Sequence, residues 1–272
     1  RMLYFTIALR SKASSANWEL VVNNFNNTLS SIFNQTNSEY MVYCACNEIP
    51  ELNSNLMAYR QKIQFVQVNT PKPNGWLNGV RDRAWKQLAC CHAIKQSESK
   101  KNIDNGIFIF PVDADDYINC NVAEYVANHP KSNGFKSRKA YKWNVGMRWM
   151  EVTPYFGGSM NIMRLFADEM PDEMPDISLC YDKETCKALN EKFPVRWNDI
   201  EVENKLSLMN RAMETLPFPS TIYVLETGEN ISSEDPLNKK SEKKIHFGVL
   251  LHRINPFNKK LLTKKIRKEF GM

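Results

Sequence analysis

Six consecutive residues, Ile107-Phe108-Ile109-Phe110-Pro111-Val112, form an apolar run that leads without a break into Asp113-Ala114-Asp115-Asp116. The run is rich in β-branched and aromatic side chains, and its length suits a strand buried in a core. The carboxylates then fall at the strand's C-terminal end, where open α/β sheets bind their ligands. Three carboxylates that close repel one another unless something positive neutralises them. A hard divalent cation does so, and Mg²⁺ is typically held by one or two carboxylates together with substrate phosphates. The pattern predicts a metal–diphosphate site. The competing reading is an acidic turn in which Asp115 or Asp116 caps the following helix.

The first half of the chain alternates strand, helix and strand signals, which argues for a parallel sheet with helices on its faces. Residues 3–9, 40–46, 63–68 and 107–112 read as strands. Residues 17–33 carry Trp18, Val21, Val22, Phe25, Leu29, Ile32 and Phe33 at helical spacing. Residues 71–75 read as a loop, 82–95 as a helix, and 96–105 as a polar connection. Beyond the carboxylates the rhythm changes. Helices are expected at 121–128, 183–191 and 201–213, with strand pieces at 140–143, 147–150 and 221–225.

A chain of 272 residues can bury a substantial core, and one domain with an appended tail is the expectation. No apolar run approaches the length that spans a bilayer. Residues 2–9 are too short for a signal-peptide core and read as the first strand. Arg1 is not a natural start, which points to residues preceding it. The seven cysteines form no CxxC pair and read as buried free thiols, which suits a reducing compartment. The net charge of +6 is uneven: residues 239–272 hold eleven Lys or Arg against Glu242 and Glu269. The body before them is therefore slightly acidic, which argues against a nucleic-acid binder.

An apolar strand running into Asp-Ala-Asp-Asp resembles the DxD motif of GT-A glycosyltransferases, most closely the family-2-like enzymes. The resemblance implies an α/β fold of the GT-A type, Rossmann-like, with a mostly parallel central sheet and helices on both faces. It divides the chain into a glycosyltransferase domain at 1–238 and a basic tail at 239–272. Within the domain, 1–120 would be the nucleotide-binding half and 121–238 the acceptor half. Asp113 and Ala114 would then meet the nucleotide, and Asp115, with Asp116 beside it, would hold Mn²⁺ or Mg²⁺. The implied donor is a UDP- or GDP-sugar, and the acceptor a glycan or a lipid-linked hydroxyl. The resemblance also implies an inverting transfer and a role in polysaccharide biosynthesis. Two other readings remain at this stage: nucleotidyl transfer on the same carboxylates, weakened by the lack of a Gly-rich loop after the first strand, and a non-catalytic glycan-binding module.

Other site residues follow from the same resemblance. Ala8 and Arg10, where the first strand ends, would lie against the nucleotide base. Asn47 and Glu48 stand where the family commonly places an Asp pair, which leaves the base open. Asp82 and Lys86 are either a nucleotide contact or a helix-surface ion pair at i,i+4, with Arg81 and Arg83 as alternative phosphate contacts. Pro154-Tyr155-Phe156-Gly157-Gly158-Ser159 resembles the family's Gly-rich segment beside the sugars, and paired glycines admit a ligand close to the backbone. An inverting transfer needs a carboxylate in reach of the acceptor hydroxyl. Asp199 fits that role by position, with Glu201 and Glu203 competing. All three equally suit the start of a helix. His246 is a candidate extra metal ligand, and His252 a weaker one. Residues 258–268 read as a basic amphipathic helix, either solvated or lying on an anionic membrane surface. The expected location is cytoplasmic, at or near the inner face of the membrane.

Overall fold

The computed structural model describes residues 2–154, 158–196, 201–225, 227, 229 and 258–272. Strand β1 (Leu3–Ala8) leads through helix α1 (Trp18–Phe33) to β2 (Tyr40–Cys46), and then to β3 (Ile63–Gln67). Helices α2 (Gly75–Ser97) and α3 (Lys100–Asp104) lead to β4 (Ile107–Val112). Strands β1 to β4 are mutually parallel in the order β3-β2-β1-β4. The chain therefore reverses its direction of winding between β1 and β4. Open α/β sheets place their ligand crevice at such a reversal, outside the carboxyl ends of the strands.

The chain continues through β5 (Tyr117–Ile118), α4 (Val122–Asn128), β6 (Gly134–Lys136), β7 (Ala140–Asn144), β8 (Trp149–Thr153) and β9 (Asn161–Leu165). Next come α5 (Lys183–Lys192), α6 (Glu201–Leu208), β10 (Glu214–Thr215), β11 (Thr221–Leu225), β12 (Lys259–Leu261) and α7 (Lys264–Glu269). Strand β9 joins β4 antiparallel and extends the central sheet to seven strands in the order β10-β6-β9-β4-β1-β2-β3. A second sheet has the order β12-β8-β7-β11-β5.

Period-two alternation sends β4 into two cores. Phe108, Phe110 and Val112 join Phe5, the α1 residues Phe25 and Leu29, and the α4 residues Val122 and Val126. Ile107 and Ile109 join Tyr4, the α2 residues Trp85 and Leu88, and Val202 and Leu206 of α6. Helices thus cover both faces, as a strand apolar all round requires. Helix α1 starts where Asn17 accepts a hydrogen bond from the Leu20 amide at 3.1 Å, a side-chain N-cap. All seven cysteines are free, and only Cys120 is more than marginally exposed.

The structure corrects several sequence expectations. Helix α2 begins at Gly75, not residue 82. Its first two turns expose Leu77 and Val80, so no apolar stripe announces them. Residues 100–104, expected as part of a polar connection, form α3, capped by Ser99. Helix α6 stops at Leu208 instead of 213, because Asn210 takes φ 58°. The Arg211 amide then bonds the Leu206 carbonyl at 2.8 Å and the Asn210 amide bonds the Ser207 carbonyl at 3.0 Å, a Schellman closure. No described helix is long and apolar enough to cross a membrane.

The largest correction concerns 258–268, expected as one amphipathic helix. The segment instead forms β12, which pairs antiparallel with β8, and then turns into α7 under a Thr263 cap. Leu261 is 60% exposed, whereas Leu262, Ile266 and Phe270 are buried with Trp143, Met150, Ile222 and Val224. Leu261, Leu262 and Ile266 do not share a lipid-facing stripe. Hydrogen bonds to backbone carbonyls fasten the end of the segment: the Cys120 amide donates to the Glu269 carbonyl at 2.8 Å, and the Asn34 side-chain Nδ2 to the Lys268 carbonyl at 2.7 Å. The boundary placed between 238 and 239 lies outside the described residues.

Phe270 has no exposed surface, so Phe270→Ala should lower the unfolding free energy by about 3–5 kcal/mol. Leu261→Ala should stay within about 0.5 kcal/mol. Urea unfolding of the two variants measures this. Equal effects would show that the segment is not docked as described.

Candidate active site at the carboxyl ends of β1 and β4

The register of β1 and β4 pairs Ile7 with Val112, so Asp113 leaves the sheet beside the end of β1. Its amide donates to Ser159 Oγ at 2.9 Å, and the buried Ser159 carbonyl accepts from Thr221 Oγ1 at 2.5 Å. The carboxylate of Asp113 accepts from Arg83 Nε of α2 at 2.8 Å. Both side chains are about a third exposed, so this ion pair contributes little to stability, about 0–1 kcal/mol. A turn follows, closed by the Asp116 amide on the Asp113 carbonyl at 3.3 Å. Ala114 packs against the α1-side core.

Asp115 and Asp116 are in a different electrostatic state. Burial, and then the Asp113 charge, push the Asp115 pKa up to about 7; the Thr227 hydroxyl at 3.4 Å and Arg83 oppose this only in part. Asp116 is fully buried, and neither of its oxygens makes a well-formed hydrogen bond among the described residues. The Ser159 hydroxyl and the Val224 backbone favour its charged form. Burial and the two neighbouring carboxylates outweigh them and push its pKa well above the ordinary range. Asp116 therefore presents no carboxylate oxygen at the surface. Among the described residues no three His, Cys, Asp or Glu side chains converge as a cage. The accessible acidic pair is Asp113 and Asp115.

The edge formed by β1 and β2 is closely tied. Ala8 lies level with Ala45. Arg10 donates to the Ser14 carbonyl at 3.0 Å and the Glu229 carbonyl at 2.9 Å, with the Glu229 carboxylate at 3.3 Å. Nothing in the sequence pattern announced Glu229 or Thr227 as neighbours of Arg10 and Asp115. Asn47 and Thr70 bond reciprocally, Nδ2 to carbonyl at 2.8 Å and Oγ1 to Oδ1 at 3.2 Å. Glu48 accepts from the Lys12 amide at 2.9 Å, which closes the loop after β1.

Asp82 and Lys86 form a buried ion pair at 2.7 Å, and Lys86 also donates to the Leu9 carbonyl at 2.9 Å. Tyr181 reaches Asp82 at 3.3 Å. The i,i+4 alternative is thus realised, but inside the protein instead of on a helix surface. It anchors α2 to the last residues of β1.

Glu201 pairs with Lys205 at 3.0 Å and is half exposed. Glu203 meets Lys136 and also Arg138 at 3.1 Å, and the Lys136 bond holds its carboxyl below the usual range. Gly158 starts a short 3₁₀ turn ending at Met160. Asp199, Gly157, His246 and His252 lie outside the described residues.

No family model matches the sequence, and no curated protein matches it. Among solved structures, S. aureus TarS is similar at 15% identity and TM-score 0.42, over 83% of this chain and 37% of TarS. Mouse xyloside xylosyltransferase 1 in its apo form is similar at 11% identity and TM-score 0.36, over 79% of this chain and 85% of that one. The glycosyltransferase GlyE of Streptococcus pneumoniae TIGR4 is similar at 10% identity and TM-score 0.36, over 79% of this chain and 45% of GlyE. Likeness at this level carries no residue roles across, and the α/β assignment rests on the strand order and pairing of this chain.

Two outcomes follow from the electrostatics. Lys86→Met strands Asp82 as an unpaired buried charge and should destabilise by about 3–5 kcal/mol. The double variant Asp82→Asn, Lys86→Met should recover much of that loss. Chemical denaturation compares the two, and equal losses would show that the pair is not coupled. The second outcome concerns Asp115. Its carboxyl binds a proton more tightly folded than unfolded, so its contribution to stability falls as pH rises from about 4 to about 7. In the presence of a chelator, Asp115→Asn should flatten the stability curve across that window. An unaltered slope would contradict the assigned environment.

Proposed function

We propose that this chain is a GT-A-type glycosyltransferase that moves a sugar from a nucleotide-diphosphate donor to a hydroxyl acceptor, a glycan or a lipid-linked one. The observation that carries this reading is the placement of Asp113 and Asp115 at the winding reversal between β1 and β4. There burial and the neighbouring Asp113 charge push the Asp115 pKa up to about 7. A partly buried carboxylate pair of this kind suits a divalent cation, which reverses the same electrostatics. The donor set is all oxygen, so Mn²⁺ or Mg²⁺ fits better than a thiolate-seeking metal. Asp115 would hold it, with Asp113 available to the donor's ribose. A bound cation of this type would offset the charge on the leaving diphosphate.

The chain's own residues supply the remaining work. Arg83 orients the Asp113 carboxylate through a half-open ion pair that a ligand can displace. The Asn47–Thr70 pair and the ends of β1 and β2 form a polar rim where the base of a UDP- or GDP-sugar would lie. Lys86 holds that rim by its bond to the Leu9 carbonyl. For the proton acceptor, Glu203 is disfavoured because Lys136 stabilises its charged form and makes it a weaker base. Asp199 therefore remains our assignment, with Glu201 as the alternative, in an inverting transfer.

Calorimetry of UDP, GDP and their sugars with and without Mn²⁺ tests this reading. Binding should require the metal, and Asp115→Ala should weaken it at least tenfold, or about 1.4 kcal/mol. Metal-independent binding, or unchanged affinity in the variant, would overturn it. Asp199→Asn should keep donor affinity and lose turnover.

A further inference from the structure

The second sheet packs one face against its own core. Met150, Ile222 and Val224 are buried there with Leu262, Ile266 and Phe270. Period-two alternation turns their neighbours to the other face. On that face the register sets Lys142 and Lys259 on either side of Glu151, and Leu261 beside Trp149. A cavity of about 310 Å³ opens here, and its described lining comes only from the sheet and from the turn between β7 and β8.

That turn exposes five consecutive residues, Val145 to Trp149. Val145 is 64% exposed, Met147 47%, Trp149 51% and the adjacent Leu261 60%. The turn is nonetheless firmly tied. The Met147 amide donates to the Asn144 carbonyl at 3.0 Å, the Trp143 indole N–H to the Met147 carbonyl at 3.0 Å, and the Leu262 amide to the Arg148 carbonyl at 2.9 Å. A Cβ added at Gly146 would meet nothing within 4 Å, so the tip projects from the sheet. Cations surround it: residues 142–151 and 259–272 carry eight Lys or Arg against Glu151 and Glu269, a net charge of +6 that equals that of the whole chain. The Lys259 ammonium lies 5.6 Å from the centroid of the Trp149 ring.

This combination selects a partner. Clustered exposed apolar side chains mark an interaction surface. A soluble polyanion would satisfy the cations but leave Val145, Met147 and Leu261 in water. A second copy of this chain would bring like charges together, and Lys259 and Lys260 on the edge strand discourage strand pairing. An anionic bilayer meets both demands, because its headgroup region takes up apolar side chains while lipid phosphates attract the cations. Trp suits that depth, with an apolar ring and a polar edge.

We propose that the β7–β8 turn docks on an anionic phospholipid bilayer, with Val145, Met147, Trp149 and Leu261 entering the headgroup region and the surrounding Lys and Arg meeting lipid phosphates. This surface is not the helix expected over 258–268, whose Leu262 and Ile266 are core residues. Val145 also lines the opening at Asp115, so docking turns that opening towards the lipid headgroups. The preference for a lipid-linked acceptor that follows rests on the function proposed above; the docking itself does not.

Co-sedimentation of the full chain with vesicles, without nucleotide or metal, tests the docking. The chain should pellet with phosphatidylcholine containing about 30% phosphatidylglycerol at about 0.1 M NaCl, much less with pure phosphatidylcholine, and much less at about 0.5 M NaCl. Met147→Ser with Leu261→Ser should weaken the partition at least about tenfold, and Lys259→Gln with Lys260→Gln severalfold. Leu208→Ser with Met209→Ser, an equally exposed apolar pair on α6, should pellet as the parent does. Brominated lipid should quench part of the tryptophan fluorescence, and Trp149→Phe should remove that part. Thermal unfolding shows whether each variant keeps its fold. No pelleting with the anionic vesicles, parental pelleting of Met147→Ser with Leu261→Ser, or unchanged quenching in Trp149→Phe overturns the proposal. A failed donor calorimetry leaves the docking standing, and failed docking leaves the donor reading standing.

Discussion

The parallel pairing of β1 with β4 governs the geometry of the candidate site. Six residues of β4 are buried, three facing the α1 core and two facing the α2 core, with Pro111 between them. Slipping the strand by one residue would send Phe108 and Phe110 to the other core and expose a mismatch on both faces. The register is therefore held by packing on two sides. Its consequence is chemical: wherever Val112 ends, the carboxylates must begin. They are carried by the core to the edge of the sheet, and burial there raises the pKa values of Asp115 and Asp116.

Three acidic groups near that crevice show how environment divides structure from function. Asp82 is buried with Lys86 on it and Tyr181 beside it, so its charge is matched inside the fold. Asp113 shares Arg83 at a half-open surface, where the pair is weak and a ligand can compete for either member. Asp115 has a hydroxyl at 3.4 Å and more repulsion than attraction. Strongly perturbed carboxylates cluster at functional sites, although structural ion-pair networks also perturb them. The balance makes Asp82 an anchor of the fold and leaves Asp115 electrostatically perturbed, although both lie near the end of β1.

The C-terminal segment shows the same principle in the apolar direction. Its charge pattern suggests a surface element, yet three of its apolar side chains complete the core of the second sheet. Gly271, at φ +62°, lets the chain pass so close to α1 that an added Cβ would lie 2.9 Å from the Ser31 backbone. The lysines point outward because the leucine, isoleucine and phenylalanine between them are taken up by packing. Net charge described the surface of this segment, and hydrophobic burial determined its place.

Local sequence determined the parallel half of this protein. Runs such as residues 40–46 and 107–112, and the spacing from Trp18 to Phe33, are strong because burial on two faces, or along one helix face, leaves a periodic trace. The place of the carboxylates was legible for the same reason, since they follow directly on the last residue of a buried strand. Tertiary structure alone decided the rest. It turned Asp116 inward, set Arg83 on Asp113, locked Asn47 to Thr70 and brought Thr227 and Glu229 across to Asp115 and Arg10. These contacts join residues far apart in the chain, and they depend on side-chain direction and desolvation, which leave no period in the sequence. The tail divided for the same reason. Its helical pattern was real from Lys264 onward, but pairing of Lys259–Leu261 with β8 offered backbone hydrogen bonds that an isolated short helix could not match.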